Sequence, residues 1–139
     1  MWHVFRVADA LEIQLKGPKG EPVDFTRTIV SHGVAELPPN RLDLDARTLE
    51  TTLAVPGGAR TIRITHGNGS IRIELRSGRA GRAQVAELSR AVRHIFRLDE
   101  DLSPFYELVR SDPDLDWCAV GAGRMLRGRT VFEDVVKTI

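Results

Sequence analysis

Few residues of this 139-residue sequence are spaced in a way that supports catalysis. The four histidines are scattered and show none of the paired spacings that bind zinc, so we predict no metal site. Cys118 is the single cysteine, and without a nucleophile motif around it we interpret it as a buried structural residue. We interpret the acidic run from Asp99 to Asp101 as a polar linker, not as metal ligands or a general acid and base. The sequence thus predicts no catalytic residue and no cofactor.

Two further features near the C-terminus have a functional and a structural interpretation. Gly121 and Gly123 have the first spacing of a dinucleotide-binding loop, but Leu126 stands where that pattern needs a third glycine. We therefore predict no nucleotide-binding loop. Trp117 could be a platform on which a nucleic-acid base stacks, but a core anchor is the commoner role of tryptophan. We place Trp117 in the core.

Basic residues are distributed unevenly, although the net charge is only +1. Between residues 72 and 97, seven arginines face two acids, an excess of +5. Acids then dominate from Asp99 to Asp116, and arginines return at Arg124, Arg127 and Arg129. A basic region can meet phosphate, whereas a solvated face balanced by nearby acids is the commoner role of a single arginine.

Length and composition fit an ordinary globular chain. The sequence is 42% hydrophobic and 28% charged, which allows one domain or two small units. A single cysteine suits a reducing compartment. The N-terminal stretch MWHVFRV is too short and too polar beyond Val7 for a signal peptide, and no apolar run approaches about 18 residues. We therefore expect a cytoplasmic protein that does not enter a membrane.

The first half of the chain reads mostly as strands. Leu11, Ile13 and Leu15 alternate with polar residues, which is the pattern of a half-buried strand. We predict a helix that begins after Asp24, its N-cap, and ends before Gly33. The β-branched residues of that helix would suit a strand equally well.

The clearest local pattern is an antiparallel meander in the middle of the chain. Asn68-Gly69 predicts a type I′ hairpin that sets Ile64 opposite Ile73. A two-residue loop at Gly57-Gly58 sets Leu53 opposite Ile62 on the same face. The apolar residues of that face are Leu53, Ile62, Ile64, Ile71, Ile73 and Leu75.

A helix that can cover this sheet follows directly. Its apolar stripe is Val85, Leu88, Val92, Ile95 and Phe96. An antiparallel sheet with a helix packed on it is an α+β architecture. Beyond Leu98 the chain reads as short helices, one of them with Ser103 as N-cap and Pro104 at its first position. We predict an α+β domain over residues 1–98 and a second unit over residues 99–139.

The last ten residues, TVFEDVVKTI, form one more amphipathic helix. Thr130 and Glu133 make a capping box that starts it. No Gly, Asn or Pro follows to end it, so we expect a truncated chain whose exposed C-terminal helix promotes self-association. The apolar face of this helix carries Phe132, Val135, Val136 and Ile139.

The stretches RLDEDLSPFYELVRSDPDL and GAGRMLRGRTVFEDVVKTI resemble the approach to the helix-hairpin-helix core of bacterial DNA glycosylases, of the alkyladenine and 8-oxoguanine type. Upstream, DFTRTIVSHGVAELPPNRLD is similar to the N-terminal domain of the same family. The resemblance therefore extends from Asp24 to Ile139. One departure is Gly128-Arg129, where the family has Ser-Pro before the threonine.

The resemblance implies an antiparallel sheet with packed helices, similar to one repeat of the TATA-binding protein fold. It also implies that the helix-hairpin-helix, the catalytic aspartate and the lysine of bifunctional members follow the helix that begins at Thr130. The chain would then be the N-terminal portion of a base-excision-repair enzyme for damaged purines, inactive alone. The implied partner is double-stranded DNA, and the candidate contacts are Arg124, Arg127, Arg129 and Lys137.

A hypothesis of a different class stays open beside this one. The chain could be a freestanding α+β module that binds nucleic acid or a protein partner. The two hypotheses differ in the arginines that matter. The arginines of the covering helix are Arg82, Arg90, Arg93 and Arg97, and loss of binding only when Arg90 and Arg93 are changed would favour the binding module. The uncapped apolar helix at the C-terminus favours the glycosylase fragment instead.

Overall fold

The computed structural model describes residues 9–139, so the stretch MWHVFRV lies outside the described residues. In the described part, one antiparallel sheet has the order β1-β5-β4-β3-β2. Its strands are β1 (Ala10–Gln14), β2 (Arg41–Asp43), β3 (Thr48–Val55), β4 (Gly58–His66) and β5 (Ser70–Leu75). The helices are α1 (Phe25–Ile29), α2 (Arg82–Ile95), α3 (Ser103–Arg110) and α4 (Val131–Thr138), with 3₁₀ turns at Gly33–Glu36 and Asp116–Val120. None of the described helices is long and apolar enough to cross a bilayer.

The hairpin between β4 and β5 has the predicted register. Ile64 pairs with Ile73. The loop differs from the prediction, because a type I′ turn needs a positive φ at both central residues and only Gly69, at +71°, has one. The loop still has Asn68 and Gly69 as its two residues, so the pairing and the faces of the side chains are those predicted.

The hairpin between β3 and β4 has a different register from the one predicted. Val55 pairs with Gly58, so the loop is Pro56-Gly57 and Ile62 lies opposite Thr51, not opposite Leu53. Proline pre-sets the φ of the first loop position, and Gly57 supplies the positive φ of +86° at the second. The slip is two residues, so every side chain keeps its predicted face.

The predicted first strand forms and adds to the far edge of the sheet. β1 pairs with β5, with Leu11 opposite Ile73 and Ile13 opposite Ile71. Ile13 and Leu15 are buried, while Leu11 is partly buried against the same core. The alternation read from the sequence therefore marks the covered side of the strand.

The covering helix is confirmed, and with it the α+β class. The buried residues of α2 are Leu88, Ala91, Val92 and Ile95, and Phe96 follows at the C-cap with no exposed surface. Val85 is partly buried. Phe96 stacks on Phe25 with ring centroids 5.5 Å apart, which joins α1 to the same core. The sheet contributes Leu49, Leu53, Ile62, Ile64, Ile71 and Ile73 to this core.

The predicted helix after Asp24 forms, but it is shorter than expected. Asp24 is the N-cap and accepts a hydrogen bond of 2.9 Å from the Arg27 N–H. α1 ends at Ile29, and Gly33 begins a 3₁₀ turn instead of closing the helix. The backbone here changes direction at His32, whose extended conformation ends any continuous helix.

A second apolar cluster lies beyond Leu98. Tyr106 is fully buried, and its hydroxyl donates to the Ala122 carbonyl at 2.8 Å. Cys118 is buried in this cluster, as expected. Ser103 is the first residue of α3 and not its N-cap; its N–H is bonded to the carboxylate of Asp101. This cluster holds α3 against the turn at Asp116–Val120.

The chain returns to the sheet after the second cluster. Leu126 is 1% exposed and belongs to the core between the sheet and α2. Its N–H donates to the Ser31 hydroxyl at 2.9 Å, and its carbonyl meets the His32 ring. Residues from both sides of position 98 thus share one core, and the boundary at Leu98 stays a prediction.

The capping box at the start of α4 forms in part. Thr130 accepts a hydrogen bond of 3.1 Å from the Glu133 N–H. The Glu133 carboxylate accepts from the Arg129 N–H at 3.0 Å, so the return bond reaches one residue further upstream than the motif predicts. No residue of α4 is buried. The residues of its apolar face, Phe132, Val135, Val136 and Ile139, are all at least half exposed.

Deleting the buried part of Ile64 tests the sheet face. We expect Ile64→Ala to lower the free energy of unfolding by about 2 to 5 kcal/mol, since Ile64 has no exposed surface. The matched control is Ile139→Ala, because Ile139 is 101% exposed and its change should fall within about 0.5 kcal/mol. Chemical denaturation measures both. Equal values for the two variants would show that Ile64 is not in the core.

Candidate nucleic-acid interface

Arg124 is a structural residue, contrary to its expected role as a DNA contact. Its side chain is 1% exposed and forms an ion pair of 3.1 Å with Glu21. Nη1 donates to the Glu100 carbonyl at 2.9 Å and to the Arg97 carbonyl. A guanidinium enclosed in this way cannot reach a phosphate, so Arg124 no longer stands among the DNA-contact candidates.

Glu21, the partner of Arg124, is held as firmly as the arginine. Its carboxylate accepts hydrogen bonds from the Leu102 N–H at 3.1 Å and from the Lys19 N–H at 2.9 Å. Gly17 makes room for it, since a Cβ at that position would overlap the carboxylate and lie 2.5 Å from Arg124 Nη2. We call these residues, Gly17, Glu21 and Arg124, the buried clamp.

The pKa of Glu21 lies below its ordinary value. Burial by itself raises this pKa, but hydrogen bonds from the backbone of Glu21, Leu102 and Lys19, together with the charge of Arg124, outweigh it. The ionised form is therefore the stable one in the folded protein. The ion pair stays charged at neutral pH.

Arg127 packs its guanidinium against the end of α2. Nε donates to the His94 carbonyl at 2.8 Å, and Nη1 lies 3.2 Å from the Glu100 carboxylate. The pKa of His94 is lowered by burial and by the positive charge of Arg127. Arg127 thus faces a neutral imidazole, and about a third of its side chain remains exposed.

Arg129 and Lys137 also have partners within the chain. Arg129 forms an ion pair with Glu87 and donates to the Ala54 carbonyl, with a quarter of its side chain exposed. Lys137 lies 2.5 Å from Glu133, and its side chain is only 6% exposed. Both cations would have to leave or share these partners to meet a phosphate.

A groove of about 340 Å³ lies between α2 and the start of α4. Arg90 and Arg129 both line it and both bond to Glu87, so two positive charges share one carboxylate. The hydrogen bond from Arg90, followed by the charges of both arginines, lowers the pKa of Glu87 although burial opposes it. The groove thus has two positive charges around one carboxylate, and Arg129, on its α4 side, is the candidate duplex contact.

The larger cavity, of about 640 Å³, has no such surplus. It lies beside β2 and is lined by Arg41, Arg63 and Arg76, with Glu36, Asp43 and Glu50 as acids. Glu50 is within 3.7 Å of Arg63 and 3.1 Å of Arg76. Three bases against three acids give no preference for an anion.

Trp117 is not the core anchor that we predicted. Its side chain is 52% exposed. The guanidinium of Arg27 lies over its ring, 4.7 Å from the centroid. The second cluster is filled by Tyr106 and Val109, which leaves the indole outside. No local sequence pattern distinguishes a buried Trp117 from an exposed one, because its exposed position depends on a contact with Arg27, which is 90 residues away along the chain.

The glycines near Trp117 have structural roles. Gly121 has a φ of +120°, and a Cβ there would lie 2.6 Å from the Asp24 N–H nitrogen. Gly121 thus lets the second cluster approach the start of α1, where the Asp24 N–H donates to the Gly121 carbonyl at 3.1 Å.

Within residues 9–139, no group of three or more His, Cys, Asp or Glu side chains is placed to hold a metal ion.

Removing Arg124 should destabilise the protein strongly. Arg124→Ala leaves the Glu21 carboxylate buried and unpaired, and we expect a loss of about 3 to 5 kcal/mol of unfolding free energy. The double change Glu21→Gln with Arg124→Met should cost less, because no lone charge stays behind. The control is Arg93→Ala, whose exposed pair with Asp99 should contribute about 0 to 1 kcal/mol. Equal losses for Arg93→Ala and Arg124→Ala would contradict the clamp.

The clamp also predicts the direction of acid unfolding. A folded-state pKa below the unfolded value contributes stability that is complete above the unfolded pKa and is lost as pH falls through the folded pKa. For Glu21 this loss begins near its ordinary value of 4.5 and continues below it. The unfolding free energy should therefore fall more steeply with acidification in the parent than in Glu21→Gln. Parallel pH profiles from denaturant titrations would exclude Glu21 as a contributor.

Comparison with solved structures finds a similarity of fold. The chain is similar to the 3-methyladenine DNA-glycosylase from Archaeoglobus fulgidus, with a TM-score of 0.63 and 18% sequence identity. The match covers 88% of this chain and 41% of that chain. No protein-family model and no curated protein matches the sequence. The chain therefore shares the fold of part of a DNA glycosylase, and it spans less than half the length of that protein.

Proposed function

We propose that this chain is the N-terminal, sheet-bearing portion of a DNA glycosylase of the helix-hairpin-helix type. The observation that carries the proposal is the shared fold over 88% of the chain. The sequence resemblance from Asp24 to Ile139 points to the same family independently of the coordinates. In the complete protein the substrate would be a damaged purine in double-stranded DNA, and the enzyme would act in the cytoplasm.

The architecture of the described residues supports this assignment. A five-stranded antiparallel sheet is covered on one face by α2, and the resemblance implies that this unit corresponds to one repeat of the TATA-binding protein fold. The short helices α3 and α4 follow it in the order that the resemblance implies. In the family, the catalytic aspartate and the phosphate-binding hairpin come after the helix that corresponds to α4, so we propose that residues 1–139 alone are inactive.

The inactivity of residues 1–139 can be measured directly. We expect no base release from duplexes containing an alkylated purine or 8-oxoguanine, because no residue of the chain inherits the family's catalytic aspartate. The assay compares a high concentration of the fragment with a mock preparation from the same host, which controls for contaminating enzyme. Excision that tracks the fragment through purification and exceeds the mock preparation would overturn the proposal.

Duplex binding by the fragment should be weak and sensitive to salt. Non-specific association through phosphate contacts has dissociation constants of about 10⁻⁴ to 10⁻⁶ M, with a slope of about −0.9 per phosphate neutralised. We expect the weak end and a slope magnitude of roughly 2 to 4, since Arg127, Arg129 and Lys137 already have internal partners. Fluorescence anisotropy of a short duplex across a salt series measures both quantities.

Arg90 and Arg129 offer a matched pair of variants for this assay. Both bond to Glu87, but Arg90 is 76% exposed and Arg129 is 25% exposed. The proposal expects Arg129→Ala and Arg127→Ala to reduce the salt slope and Arg90→Ala to leave it unchanged. If exposure alone decided the contribution to binding, Arg90→Ala would reduce the salt slope more than Arg129→Ala. Loss of binding only in variants of Arg90 and Arg93, or tight binding insensitive to salt, would favour the freestanding binding module.

The uncovered face of α4 supports a second proposal, that the fragment self-associates through this helix. Phe132 is 78% exposed and Val135 is 50% exposed, on a helix that presents no buried residue. Two copies packed through this face would remove apolar surface from water on both. Sedimentation velocity across a concentration series should show a dimer that Val135→Glu abolishes. A parent chain that stays monomeric at high concentration would refute it.

A further inference from the structure

A cavity of about 490 Å³ opens at the end of the sheet that lies far from the α4 groove. Arg47 and His66 both line it. They are neighbours because Thr48 pairs with Thr65, which places the residue before β3 beside the last residue of β4. The start of α1 and Val120 form the other side of the cavity. The fold thus brings three separate chain segments to one opening.

The charges around this cavity favour an anion. Asp24 is the one acid among its described lining residues, and it is already engaged by Arg27, at 3.5 Å and through the N-cap hydrogen bond. The guanidinium of Arg47 is exposed and makes no hydrogen bond or ion pair with residues 9–139. His66 adds an exposed imidazole. A free guanidinium in a concave site is suited to a phosphate oxygen.

A planar aromatic surface lies beside the charged cavity. The Arg27 guanidinium, which lines the cavity, also stacks on Trp117 at 4.7 Å. Trp117 is 52% exposed, so its indole has surface left for a second planar partner. Val120, 65% exposed, continues the apolar surface from Trp117 to the cavity. Exposed apolar side chains grouped beside a basic cavity are uncommon on a solvated surface and mark contact sites.

We propose that this end of the sheet binds a single nucleic-acid strand, with a phosphate at Arg47 and a base stacked on Trp117. Base stacking on an aromatic side chain beside a basic groove is how proteins hold single strands without reading their sequence. We call Arg27, Arg47, His66 and Trp117 the strand site.

The strand site is separate from the proposed duplex contact. Arg129 reaches the carbonyl of Ala54, near the end of β3, whereas Arg47 precedes the first residue of the same strand. At about 3.3 Å per residue, the two lie on the order of 20 Å apart. Variants of one site therefore leave the other unchanged, and the two proposals can fail separately.

Binding is tested with a fluorescein-labelled eight-nucleotide thymidine strand, in a Trp2→Phe background where Trp117 alone reports the indole emission. We expect anisotropy to rise in a saturable way and the Trp117 emission to be quenched. Trp117→Leu, which keeps an apolar side chain but removes the aromatic ring, should weaken binding about tenfold, and Trp117→Phe should retain most of it. Arg47→Ala should weaken binding several-fold and reduce the salt slope by about 0.7, the value for one phosphate of a single strand.

The matched control is Arg79→Ala, which removes an exposed arginine near Arg60, at the other end of β4. It should leave affinity and slope unchanged, and all variants should unfold at the parent temperature. No saturable binding by the parent at millimolar concentration would overturn the proposal. So would equal losses for Arg79→Ala and Arg47→Ala, or full binding by Trp117→Leu. Binding of the single strand without binding of the duplex would support the strand site and refute the duplex contact. Binding of the duplex without binding of the single strand, unaffected by Trp117→Leu and Arg47→Ala, would support the duplex contact and refute the strand site.

Discussion

The ion pair between Arg124 and Glu21 is the contact on which the arrangement of the chain depends. It joins the turn before α1 to the carbonyls of Arg97 and Glu100 at the end of α2, and to the N–H that precedes α3. An apolar pair in its place would leave the Glu100 carbonyl and the Leu102 N–H without the hydrogen bonds that they make to it. Arg124 thus lies between the second cluster, which includes Ala122, and Leu126, which belongs to the core on the sheet.

The same ion pair shows that a basic residue in the sequence need not be available to bind phosphate. A cluster of arginines in a sequence suggests a surface for phosphate, yet Arg124 neutralises a buried acid, and Arg127 and Arg129 mostly hold the terminal segment on α2. In contrast, Arg47 belongs to no cluster in the sequence and carries an exposed charge without a partner in the described chain. The location of available positive charge follows from tertiary pairing, and sequence density is a poor guide to it.

The sequence predicts those parts of the fold that depend on neighbouring residues. The alternation along β4 and β5, the stripe on α2 and the Thr130 cap each involve contacts within one element or across one short loop, and they are confirmed. The β3–β4 register predicted from the sequence is wrong because the loop consists of Pro56 and Gly57, and not of Gly57 and Gly58. Arg124 and Trp117 were misplaced for a different reason. The burial of Arg124 depends on Glu21, and the exposed position of Trp117 depends on Arg27. These partners are too far away along the chain for a local sequence pattern to reveal them.

Gly17 carries a consequence for how this protein can vary over evolutionary time. A Cβ at that position would overlap the Glu21 carboxylate and lie 2.5 Å from Arg124 Nη2, so an alanine there would displace the ends of both side chains. The three positions are therefore coupled in substitution, although 103 residues separate the acid from its base.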